Sequence, residues 1–167
     1  MTGRQPRSDL ANRAHVEVLL RRFYGRVFAD DVLAEPFSEL RANGLESHLP
    51  VMCDFWETVL FRAGLYRGNA LHVHRQLHDR HPLCAHHFAR WITLWNSSVD
   101  EMYRGPNALR AKVQAARIAK SMHRRLTGSD ASELDAVGGL PRPPRGARKP
   151  GERTARMPAR THPRSPC

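Results

Sequence analysis

Long apolar runs are missing from this chain: nowhere do about 18 apolar residues follow one another, as a membrane-crossing helix requires. The opening MTGRQPRSDLANR is polar and lacks the apolar segment of a secretory leader. A soluble, cytoplasmic protein is therefore expected. Cysteine is scarce as well. Cys53, Cys84 and Cys167 are odd in number, scattered and not spaced as CxxC, which argues against a disulfide framework or a thiolate metal module and makes reduced thiols the expectation. Residues 1–127 also lack period-two alternation, hairpin dipeptides and glycine pairs, and no repeat of 20–50 residues occurs. Sheets and solenoids are excluded on those grounds.

What the chain has is enough apolar material for one core: 167 residues, 41% of them hydrophobic. Its formal charge of +11 is unevenly spread. Residues 141–167 hold eight Lys/Arg against one acid, with seven prolines, too few apolar groups to offset the entropy of ordering. The reading is a helical domain over 1–127 and a disordered Pro/Arg-rich tail over 128–167, joined through GSDASELDAVGGL. The tail offers non-specific electrostatics toward nucleic acid or anionic lipid, although such tails more often serve only solubility. Residues 1–127 carry 19 Lys/Arg against 12 Asp/Glu, a milder excess.

Helical spacing runs through the domain. Ser8 or Asp9 is a candidate cap for a helix striped by Val16, Leu19, Leu20, Phe23 and Val27, with Tyr24 at the stripe's edge. DDVLAEPFSELR reads as a short helical turn interrupted at Pro36. Ser47 is expected to cap a helix to about Arg62 with Pro50 in its first turn, and a short helix follows over 70–78. A longer one over 84–103 is striped by Phe88, Trp91, Ile92, Trp95, Val99 and Met102. The last, 107–126, follows Pro106 and turns Leu109, Val113, Ala116 and Met122 inward.

The short helix carries the first chemical question, because YRGNALHVHRQLH sets three histidines within seven positions. At about 100° per residue, Ala70, Leu71, Val73 and Leu77 share an apolar face that includes His74, while His72 points to solvent beside Arg75 and Gln76. His72 and His74 cannot converge on one ion from a single helix. His48 is a second histidine on an apolar face, among Val51, Met52, Phe55, Trp56 and Val59. Burying two unpartnered imidazoles costs about 1–3 kcal/mol each, which a ligand shared between the two faces would offset. An apolar slot with a histidine on either wall suits a haem. A rival constellation, His78, His81, Cys84, His86 and His87, offers zinc ligands at a spacing that matches no regular module.

Taken in order, FY at 23–24, Phe37, HL at 48–49, FW at 55–56, YxG at 66–68, His74 and FxRW at 88–91 resemble a truncated haemoglobin of group III, over roughly residues 10–125. The resemblance implies an all-α, two-over-two helical sandwich holding one haem b, with His74 as the proximal iron ligand. It implies Tyr24, His48 and Trp91 on the distal side, His48 as a gate, and Phe37, Met52, Phe55, Trp56 and Tyr66 against the haem. The expected ligand is dioxygen or another diatomic molecule, in an oxygen-binding protein, monomeric or weakly oligomeric, rather than a dedicated enzyme. Sustained redox turnover on nitric oxide or peroxide would need an external reductase. The alternative is a basic helical nucleic-acid-binding module without haem.

Overall fold

The first helix begins where Asn12 turns its side chain to accept the His15 N–H at 3.0 Å, satisfying a donor that no helical carbonyl can reach. The computed structural model describes residues 7–138, and all of its regular elements are helices. They are α1 (Arg13–Phe28), α2 (Ser38–Asn43), α3 (Leu45–Phe61), α4 (Ala70–Arg80), α5 (Ala85–Met102), α6 (Pro106–Thr127) and α7 (Glu133–Gly138). None of the described helices is long and apolar enough to cross a membrane.

Asp9, one of the two expected caps of α1, serves a distant helix instead. Its carboxylate accepts the N–H groups of Asn107 and Ala108 at 3.0 and 2.9 Å and so caps α6. Burial works against this charge, yet the three backbone N–H bonds it accepts outweigh that and hold its pKa below the ordinary value. Gly105 lies against it with φ +153°, where any Cβ would collide with the Asp9 side chain.

Helix α1 packs on α3 and α5, α5 packs on α6, and α6 also touches α3 and α4. Two apolar clusters result. The larger joins Leu19, Leu20, Phe23 and Val27 of α1 to Leu49, Cys53, Trp56 and Leu60 of α3 and Trp95 and Val99 of α5. The buried face of α3 is thus 49, 53, 56 and 60, one step round from the stripe expected at 51–59. Val51 is exposed and Met52, Phe55 and Val59 are half-buried.

Helix α6 also turns differently from the expectation. Leu109 is 59% exposed, and the inward row is Ala108, Ala111, Ala115, Ala116 and Ala119. The reason is size: alanines let the backbones of α5 and α6 approach, and Trp95 Nε1 donates to the Ala111 carbonyl at 3.2 Å across that contact.

The expected domain boundary at 127 is corrected too. Gly128, with φ +72°, closes α6 in the left-handed conformation that glycine adopts freely. The chain then returns through Ala131 and α7, which packs on both α5 and α6 with Leu134 fully buried. Lys120 bonds Asp135 at 2.6 Å. SELDAV is short for a helix but supplies an apolar residue at 134 and an acid at 135, so tertiary burial decides its state. The basic stretch 141–167 lies outside the described residues.

Candidate functional site

Between α4, α5, α6 and the turn before α2 lies an open cavity lined by Leu33, Phe37, His74, Leu77, Leu83, His87, Phe88, Trp91, Ile118, Ala119 and Met122. Apart from two imidazoles, the indole N–H and the Met122 thioether, this wall is hydrocarbon. An apolar lining with a few polar groups is the composition of small-molecule sites.

Helix α4 sets the position of His74. Asn69 caps it by accepting the His72 N–H at 3.0 Å, and its apolar residues Ala70, Leu71 and Leu77 pack on the second cluster without any becoming fully buried. Val73, expected on the same face, is 58% exposed. His74 is half-buried, with Nδ1 2.7 Å from the Ala70 carbonyl one turn back. A carbonyl only accepts, so Nδ1 carries a proton, and in the neutral ring the lone pair is on Nε2. A metal-ligating histidine uses this arrangement, its inner N–H bonded so as to fix the ring and raise the basicity of the other nitrogen.

The opposite wall is held by an ion pair that the sequence reading did not single out. Asp30, buried after α1, accepts the N–H groups of Val32 and Leu33 at 3.0 and 3.2 Å through Oδ1. Its Oδ2 accepts from Arg90 of α5 at 2.7 Å. Desolvation would raise its pKa, but the Arg90 guanidinium and the two amides outweigh it and hold the carboxyl below its ordinary range. The turn bearing Leu33 and Phe37 is thereby tied to the residue preceding Trp91.

Of the residues expected at a site, His74, Phe37 and Trp91 line this one cavity. Tyr24 stands one ring behind, 6.1 Å from Phe37 and 4.9 Å from Phe23 between centroids. Burial alone pushes its hydroxyl pKa well up. Trp56 stacks on Trp95 at 4.3 Å, and Trp95 is parallel to Trp91 at 5.8 Å. Phe55 lies edge-on to Trp56 and to Tyr66. These aromatics form one continuous network, in which Phe55, Trp56 and Tyr66 belong to the core side and do not line the cavity. Met52 packs on the same core.

His48 is not brought to the cavity. It is exposed near the start of α3, with Nδ1 2.9 Å from Ser47 Oγ and 3.4 Å from the Gly44 carbonyl. The helix begins at Leu45, two residues before the expected cap, and its buried face passes through Leu49 instead.

The rival metal constellation is brought together only in part. Ligand atoms of Cys84, His86 and His87 lie within 4.8 Å of one another. Cys84 is already engaged, and the Nδ1 atoms of His87 and His78 accept the Cys84 and Leu83 N–H groups, each at 2.9 Å. Those bonds tie the imidazoles to the backbone of the linker. His87 also lines the cavity, a role hidden in the sequence because it sits among three other linker histidines. The contribution of Ile118, Ala119 and Met122 was signalled only by Met122 on the inward face of α6.

Comparison with protein-family models, curated proteins and solved structures gives no match for this chain.

Proposed function

We propose that this chain is a haem-binding globin of the truncated, two-over-two type, which binds dioxygen or another diatomic ligand reversibly. The observation that carries the reading is the orientation of His74: half-buried at an apolar cavity, with its inner nitrogen bonded to the Ala70 carbonyl, which leaves the outer nitrogen as the lone-pair donor of the neutral ring. A neutral imidazole held this way suits the proximal side of a haem iron.

The other walls suit the same group. Phe37, Leu77, Phe88 and Trp91 offer flat or aliphatic surface to a planar macrocycle. Haem, when bound, supplies an iron at which a diatomic ligand binds reversibly, and this chain's residues tune that site. Tyr24 and Trp91 hold the O–H and N–H that would stabilise negative charge developing on such a ligand, about 1 kcal/mol or more each in a water-poor pocket. The pairing of α1 with α3 and of α5 with α6 is the element pairing that a two-over-two sandwich uses.

The alternative, a nucleic-acid-binding module without haem, rests on charge. In the folded part Arg13, Arg21, Arg22, Arg26, Arg90, Lys112 and Lys120 are each paired with a carboxylate, so the helices favour this reading less than their cation content does.

The visible spectrum of the purified chain mixed with ferric haem tests the proposal. A Soret band that saturates near one haem per chain, and shifts when carbon monoxide meets the reduced form, is the expected result. Spectra indistinguishable from free haem would refute it.

A further inference from the structure

The two histidines of the cavity present opposite chemistry. His74 Nδ1 faces a carbonyl and must carry a proton, so in the neutral ring its Nε2 offers the lone pair. His87 Nδ1 accepts the Cys84 backbone N–H at 2.9 Å, so in the neutral ring the proton resides on Nε2. Burial, reinforced by neighbouring His86 and opposed by Glu35, lowers the His87 pKa, which favours that neutral form. One imidazole therefore offers a lone pair and the other an N–H, on two helices that wall the same space.

We propose that His87 anchors the occupant of this cavity by donating its Nε2–H to a carboxylate on the occupant's edge, while His74 takes the metal. The inference rests on the haem reading, since haem is an iron chelate bearing peripheral carboxylates. Within the cavity the choice of His87 follows from elimination: among the lining side chains only His74, His87 and Trp91 carry a nitrogen, His74 turns its lone pair to the metal, and the Trp91 N–H is assigned to the diatomic ligand. His87 stands at the first turn of α5, next to exposed His86. The linker cluster that offered a rival set of zinc ligands thus contributes one member to the cavity, as a donor and not as a metal ligand.

The test compares ferric haem with its dimethyl ester, in which both carboxylates are blocked, by Soret titration of the wild-type chain, His87→Glu and His87→Gln. Glutamate or glutamine at the third position of a helix can accept the N-cap N–H as His87 does, so both variants keep the start of α5. Wild type should bind haem at least tenfold more tightly than the ester, as expected for one hydrogen bond to a charged group. His87→Glu should abolish or invert that preference while binding the ester nearly as well as wild type, and His87→Gln, which restores an N–H donor, should recover part of it. Wild type that binds both forms equally, or variants that lose both forms in parallel, would overturn the anchor and leave the haem reading intact. Failure of wild type to bind either form would overturn both.

Discussion

The cluster shared by α1, α3 and α5 keeps Phe23, Val27, Trp95 and Val99 at zero exposure, whereas α4, beside the second cluster, contributes no fully buried residue at all. Both regions draw on the same kinds of side chain. In the first, each apolar face meets another helix. In the second, the face bearing His74 and Leu77 meets the cavity. An amphipathic helix whose apolar side fronts a gap gains little until something fills the gap, so the two regions should differ in how far their stability depends on a ligand.

The largest effect expected is in the filled region. Trp95→Ala removes a fully buried ring stacked between Trp56 and Trp91 and leaves the Ala111 carbonyl without its indole partner. It should cost about 3–5 kcal/mol in denaturant unfolding, with or without haem. A loss below about 1 kcal/mol would mean that this half is not the rigid one.

Haem itself should act mainly on the other half. At a hundredfold excess over its Kd it should add about 2.7 kcal/mol of stability, and amide exchange should slow most in α4. Protection of α4 equal to that of α1 before haem is added would break the comparison.

A smaller loss should follow removal of the helix beyond the expected domain boundary. Leu134→Ala empties a buried contact of α7 on α5 and α6, at a cost of about 2 kcal/mol. Truncation after residue 128 should do at least as much. If truncation leaves the unfolding midpoint unchanged, α7 contributes nothing to the folded unit.

The smallest change concerns the tie between the cavity's two outer walls. Because the folded pKa of Asp30 lies below the ordinary value of 3.8, its ion pair stabilises fully above that value and is lost as pH falls through the depressed folded one. Asp30→Asn should cost about 1 kcal/mol at pH 7 and flatten the acid limb of the stability profile. An unaltered acid limb would show that the Asp30–Arg90 contact does not position these walls.

Much of this organisation could be read from residue order. The helices, the α1 stripe, Pro106 at the start of α6 and the meeting of Phe37, His74 and Trp91 follow from local spacing or from the resemblance carried by those residues. What escaped depended on contacts distant in sequence. Asp9 looked like a cap for the nearest helix, yet it caps one about a hundred residues away. Leu109 looked inward until the alanine row allowed a closer approach than leucine permits. SELDAV has too little propensity to stand as a helix and becomes one against α5 and α6. His48 was assigned by a helical wheel to a face that proves one step removed from the buried one, and a wheel drawn for one helix does not know its partner's direction. His87 was hidden because a histidine in a histidine-rich linker carries no signal of its own. Only the backbone bond that fixes its tautomer distinguishes it.

The central claim is that His74 holds the metal of the cavity's occupant, and a cavity-and-rescue titration tests it most directly. His74→Gly is mixed with ferric haem, and the Soret spectrum is followed before and after free imidazole is added. The account predicts that the variant loses the wild-type spectrum and that imidazole, entering the space the side chain vacated, restores it. A variant with wild-type spectrum and haem affinity, indifferent to imidazole, would contradict it.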